Sequence, residues 1–240
     1  MGEWKVVLSG SGFDLERLSL LAAGDPFSIR KVDGKYTLES VEFESLDSPD
    51  AVWDCAVTLI RRINGAARML FGDHDNVDVD KIVQDKPDGR TSVHVVVRVP
   101  AALARARAGA CAVHVDGMEE EGSGYSPLHS WVKLASHNED VAEVLRYFEG
   151  DHLTYFDLYK IYEIIKHNCK SRGVSFGKYL SEKDEAALRA NINCPALSGD
   201  AARHARSLGH PKSIRSKGHA KIVTMVRKLV QKWLDDLPIR

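Results

Sequence analysis

Between residues 199 and 223 the chain reads GDAARHARSLGHPKSIRSKGHAKIV, in which three histidines and six Lys/Arg residues share 25 positions with a single acid, Asp200. Guanidinium groups match phosphate oxygens in a two-pronged fork, and imidazole gives and takes a proton near neutrality. Those residue types in one segment suit binding of a phosphodiester, or acid–base chemistry on it. Arg203, His204 and His210 are the candidates for the chemical step. Arg206, Lys212, Arg215, Lys217 and Lys221 are candidate nucleic-acid contacts, made through backbone phosphates. Cys194, His204, His210 and His219 offer metal-ligating atoms, but their gaps match no zinc-site spacing. Neither a metal nor a cofactor is expected. A solvated basic helix end followed by a loop is the plainer reading of the same stretch.

The charge is local. The chain of 240 residues has a formal net charge of −1, yet eight of its 33 Lys/Arg residues and none of its 34 Asp/Glu residues fall within 201–230.

The elements that must position this segment fall into two textures. In the first half, WKVVLSG (4–10), FSIRKV, KYTLESVEF, NVDVDKIVQ (76–84), TSVHVVVRV (91–99) and ACAVHVD (110–116) read as strands, several with the period-two alternation of a half-buried sheet. Asp33-Gly34 predicts a tight hairpin, because both central positions of a type I′ turn need positive φ. One helix interrupts the strands: Ser48 is its N-cap, Pro49 its first residue, and Val52, Cys55, Leu59, Ile63, Ala66 and Leu70 its apolar stripe. From residue 117, DGMEEEGSGYSP has the acidic, Gly/Ser-rich composition of a linker. The remainder is helical in pattern. Val141, Val144, Leu145 and Phe148 form one stripe, Thr154/Asp157 and Ser181/Asp184 make capping pairs, and Ile222 to Leu234 carry a final amphipathic face. The expected fold class is α+β: a mostly antiparallel sheet with one packed helix over 1–117, a linker over 118–136, and an all-α helical domain over 137–240.

The helical half resembles the HEPN family. The resemblance rests on Arg203, the polar residue after it (His204) and His210 after six intervening positions, followed by a final helix ending in an aromatic. Spacings of four to six intervening positions, the range the motif allows, also occur at Arg68/His74, Arg107/His114 and Arg146/His152, but only Arg203 is followed by the polar residue the family favours. The resemblance implies an RNA-directed protein, in its active form a metal-independent endoribonuclease. Arg203 would hold the phosphate and a histidine would act at the ribose 2′-hydroxyl, commonly at a homodimer interface. The alternative function is a non-catalytic interaction or oligomerisation protein whose basic segment meets an acidic partner.

Other stretches carry less. Tyr155, Tyr159 and Tyr162 share one helix face, which suits packing more than base stacking. Gly10-x-Gly12 lacks the third glycine of a dinucleotide fingerprint and reads as a turn. In GDHDNVDVD, Val77 and Asp78 stand where a calcium loop needs an oxygen ligand and a glycine, so alternating acids on an exposed strand explain it. No apolar run is long enough to span a membrane, no secretory leader pattern opens the chain, and the four cysteines are widely spaced. A cytoplasmic location and reduced thiols are expected, with no membrane partner.

Overall fold

The computed structural model describes residues 3–86, 89–95, 126–204 and 214–238. Its first half is an antiparallel sheet of five strands in the order β2-β3-β1-β4-β5. These are β1 (Glu3–Ser9), β2 (Phe27–Val32), β3 (Lys35–Ser40), β4 (Asp78–Asp85) and β5 (Thr91–His94). The hairpin forms as its sequence requires: Asp33 and Gly34 adopt φ of 48° and 76° and join β2 to β3. The strand expected at 91–99 is described only as far as Val95, and the one at 110–116 lies outside the described residues.

Two helices accompany the sheet. α1 (Gly12–Leu21) follows β1 directly, so the sheet has one helix more than the single one expected. α2 (Pro49–Phe71) begins as its sequence indicates, the Ser48 hydroxyl accepting from the Ala51 N–H, and buries Val52, Leu59, Ile63 and Ala66. A cap of this kind contributes about 1 kcal/mol.

The stretch 118–136 is not all linker. Its last part is helical: α3 (Pro127–His137) starts at Ser126, whose hydroxyl accepts from the His129 N–H and donates to the Leu21 carbonyl. Leu128, Trp131, Val132 and Ala135 are buried along its inner face. His129 stacks on Phe27 at 4.4 Å, its two ring nitrogens against the carbonyls of Leu21 and Phe27, and so fastens α3 to the sheet.

The second half continues with α4 (Glu139–Glu149), α5 (Tyr155–Ser171), α6 (Glu182–Asn193), the short α7 (Pro195–Ser198) and α8 (His219–Asp235). The stripe Val141, Val144, Leu145, Phe148 is fully buried, as is the α5 row Leu158, Ile161, Ile165. The Thr154/Asp157 capping box at the start of α5 is present in both directions. One continuous buried cluster runs from Val6 and Leu38 in the sheet through α2 to Trp233 in α8. Its closest joint is the crossing of α2 and α4, where Gly65 leaves no room for a side chain. A Cβ there would stand 2.2 Å from the Leu145 carbonyl oxygen. Among the described residues no helix is long and apolar enough to cross a membrane.

Candidate nucleic-acid interface

The last turn of α6 gathers the basic segment from two directions. Arg203 comes back after α7 and a 3-10 turn, and its N–H donates to the Ile192 carbonyl at 2.9 Å. Asn191, fully buried, donates from Nδ2 to the Arg215 carbonyl at 3.4 Å and accepts the Lys217 N–H at 2.8 Å through Oδ1. Backbone polar groups buried in this way need partners, and a buried amide supplies a donor and an acceptor at once. Arg203, Arg215 and Lys217 are thereby anchored to neighbouring residues of one helix end.

The Arg203 guanidinium lies over the Tyr159 ring, 3.9 Å from its centroid, and Nη1 makes a long contact of 3.5 Å to Asn193 Oδ1. A cation held face-on to an aromatic ring keeps its in-plane N–H groups available at the edge. One turn earlier on the same face of α5, Tyr155 receives the edge of His219, with ring centroids 5.0 Å apart. His219 Nε2 is 2.7 Å from the Leu153 carbonyl. That acceptor fixes Nε2 as the protonated nitrogen and leaves Nδ1 as the lone-pair end of the neutral ring. Burial pushes the Tyr155 phenol up, so the ring carrying His219 stays neutral.

α8 opens at Gly218, which has φ of 74° and no side chain to cap the helix, and its first turn contains no acid. Free N–H groups and the positive end of the helix dipole favour an anion there. Lys217 precedes this end and Lys221 lies within it. No carboxylate pairs with Arg203, Arg215, Lys217 or Lys221 among the described residues.

The residues expected from sequence are therefore distributed unequally. Arg203, Arg215 and Lys217 are tied through their backbones to the end of α6, and Lys221 lies in the first turn of α8. His204 is half-buried on irregular backbone beside Arg203 and makes no hydrogen bond among the described residues. Arg206, His210 and Lys212 lie outside the described residues. The tyrosine face divides: Tyr155 and Tyr162 are buried, as packing requires, while Tyr159 is partly exposed beneath Arg203. His219, outside the Arg203/His210 spacing, is held at the start of α8 by Leu153 and Tyr155. Its signal in the sequence was only its place next to the helix-opening Gly218, because the Tyr155 contact depends on the fold. Cys194 is buried, and no three His, Cys, Asp or Glu side chains converge among the described residues.

A second polar cluster, in the sheet half, has a different character. His74, buried to 1% exposure, sits between Asp14 and Asn64, each 3.2 Å from a ring nitrogen. Asn64 also bridges both backbone groups of Val77, and Arg68 donates from Nε to the His74 carbonyl. Burial pushes the imidazole down against the pull of Asp14. With no access to solvent, the group pins α1, α2 and the start of β4 together. Thus Arg68 and His74, whose spacing also falls within the motif's range, serve packing. The acids Asp73, Asp75, Asp78 and Asp80 of the same stretch are exposed, as their alternation implied.

Comparisons with protein-family models, with curated proteins and with solved structures return no match.

Proposed function

We propose that the chain is an RNA-directed protein that holds the sugar–phosphate backbone of unpaired RNA on the surface formed by the end of α6, the start of α8 and Tyr159 of α5. The observation that carries this reading is the set of cations without carboxylate partners among the described residues, Arg203, Arg215, Lys217 and Lys221, of which Arg215 and Lys217 are held by buried Asn191 and Arg203 lies over Tyr159. Cations without acids among the described residues can replace counterions on a phosphate chain, and the Tyr159 ring holds the Arg203 guanidinium in place for it.

The cleaving form of the proposal is a metal-independent, HEPN-like endoribonuclease. A base takes the 2′-hydroxyl proton, the 2′-oxygen attacks phosphorus, the bond to the 5′-oxygen breaks, and an acid returns a proton to that oxygen. Arg203 would neutralise the phosphate. His204, next to Arg203 in the chain, and His219, whose tautomer is set by Leu153, would move the protons. A homodimer through the helical half belongs to the same reading.

The test is fluorescence anisotropy with a labelled single-stranded RNA, followed by gel analysis in EDTA. Binding is expected to weaken at least about tenfold in Arg203→Ala/Lys217→Ala, equivalent to losing two charge-assisted phosphate contacts. Cleavage is expected to leave cyclic-phosphate ends and to vanish in His219→Ala or His204→Ala. Absence of RNA binding, together with a molar mass by light scattering that changes in the same double variant, would overturn the proposal in favour of a non-catalytic interaction protein.

A further inference from the structure

We propose that a cavity at the opposite end of α5 binds a small organic phosphate monoester. The cavity has a volume of about 270 Å³ and lies where the ends of α3, α5 and α8 meet. Lys133 and His137, one turn apart on α3, and Arg172, which ends α5, line it together with Leu134, Leu237 and Pro238. No acid contributes to the lining.

Two carboxylates next to the lining, Asp140 and Asp236, are already committed. Asp140 accepts from Asn168 Nδ2 at 2.7 Å. Asp236 accepts from Lys178, Tyr179 and Arg172 Nη2, the last at 3.5 Å. Arg172 therefore spends one edge on α8, while its Nη1, closed off from solvent, has no hydrogen-bond partner among the described residues. A buried N–H without an acceptor costs roughly 1–3 kcal/mol, and because Nη1 has no water-accessible surface of its own it meets a ligand oxygen only once the guanidinium turns toward the cavity. Lys133 and His137 likewise pair with no carboxylate among the described residues.

Two cations, Lys133 and Arg172, and the His137 imidazole around one space suit a phosphate, whose oxygens can serve separate donors, better than a carboxylate with two oxygens. The apolar side formed by Leu134, Leu237 and Pro238 gives the ester group a surface to cover. The volume falls below the roughly 300–1,000 Å³ of sites for drug-sized ligands, so the ester group is small, about one ring. α5 has 17 residues, a span of roughly 25 Å, so this cavity and the Tyr155 end are separate places. The inference does not rest on RNA binding.

Isothermal titration calorimetry of the full chain with phenyl phosphate tests it, with inorganic phosphate and benzoate as comparisons. One saturable site is expected, with each comparison probe weaker by about tenfold or more because it lacks either the ring or the dianion. Lys133→Gln and His137→Gln should each weaken phenyl phosphate by roughly three- to tenfold, while Lys228→Gln, exposed on α8 and away from the cavity, should leave it unchanged. Lys133 and His137 are chosen over Arg172 because they hold no element in place through Asp236. Failure of phenyl phosphate to saturate, equal affinity for all three probes, or unaltered binding in both α3 variants would overturn the proposal.

Discussion

Replacing Gly65 by alanine tests the joint on which the shared core depends. The new Cβ would meet the Leu145 carbonyl oxygen at 2.2 Å and its carbon at 2.8 Å, both backbone atoms that no rotamer change can move. Ordinary contact between such atoms begins about 1 Å further out, so α2 and α4 must separate by roughly that amount and loosen the packing of their buried neighbours. Overpacking of this kind costs about 1–3 kcal/mol, and a clash with rigid backbone belongs at the upper end. Alanine recovers about 0.5–1 kcal/mol through its better helix propensity. The net loss is then about 2 kcal/mol. For a chain of this size each kcal/mol moves Tm by about 2–4 °C, so a fall of about 4–8 °C is expected in differential scanning calorimetry. Gly12→Ala at the start of α1, where a Cβ meets nothing within 4 Å, is the matched control. It should change stability by less than about 1 kcal/mol in either direction. A Gly65→Ala protein as stable as the control would refute the close α2–α4 approach and the argument built on it.

Other perturbations have defined outcomes. Asn191→Ala removes the partners of the Arg215 carbonyl and the Lys217 N–H, and should cost about 1–3 kcal/mol in urea unfolding, with faster amide exchange at Lys217 than elsewhere in α6 and α8. Burial and the hydrogen bond to Asp236 push the Tyr179 phenol up to about 12. Its folded pKa thus exceeds the unfolded value of about 10, so its contribution is complete below pH ~10 and is lost as pH rises toward the folded value. Tyr179→Phe should therefore be less stable than the parent at pH 8, and the gap should shrink by pH 11; a gap that widens would contradict the assignment. Tyr159→Leu removes the ring under Arg203 and should weaken RNA binding by about threefold or more, the scale of a surface cation–π contact, with little effect on Tm.

Local chemistry in the sequence accounts for much of the fold. Asp33-Gly34, Ser48-Pro49 and the Thr154/Asp157 box are signals whose partners lie within a few residues, and each appears as expected. α3 was obscured although its signal is of the same kind: Ser126-Pro127 repeats the Ser48-Pro49 start, and Leu128, Trp131, Val132 and Ala135 keep helical spacing. The Gly/Ser-rich, acidic stretch before it drew the linker reading across that start. The reason for Gly65 could not be read locally, since it depends on where α4 crosses. The same holds for Asp14, Asn64 and His74, which come from three separate segments, and for the meeting of Arg203 with Tyr159. Composition marked out the basic segment, whereas the contacts of His219 with the Leu153 carbonyl and the Tyr155 ring depend on the fold.

The most direct measurement of the central claim is the salt dependence of RNA binding. If Arg203, Arg215, Lys217 and Lys221 each neutralise a phosphate of a single strand, log K against log salt should fall with a slope of about −3, and Arg203→Ala/Lys217→Ala should flatten it by about 1.4. A slope near zero, or one that the double variant leaves unchanged, would contradict the account.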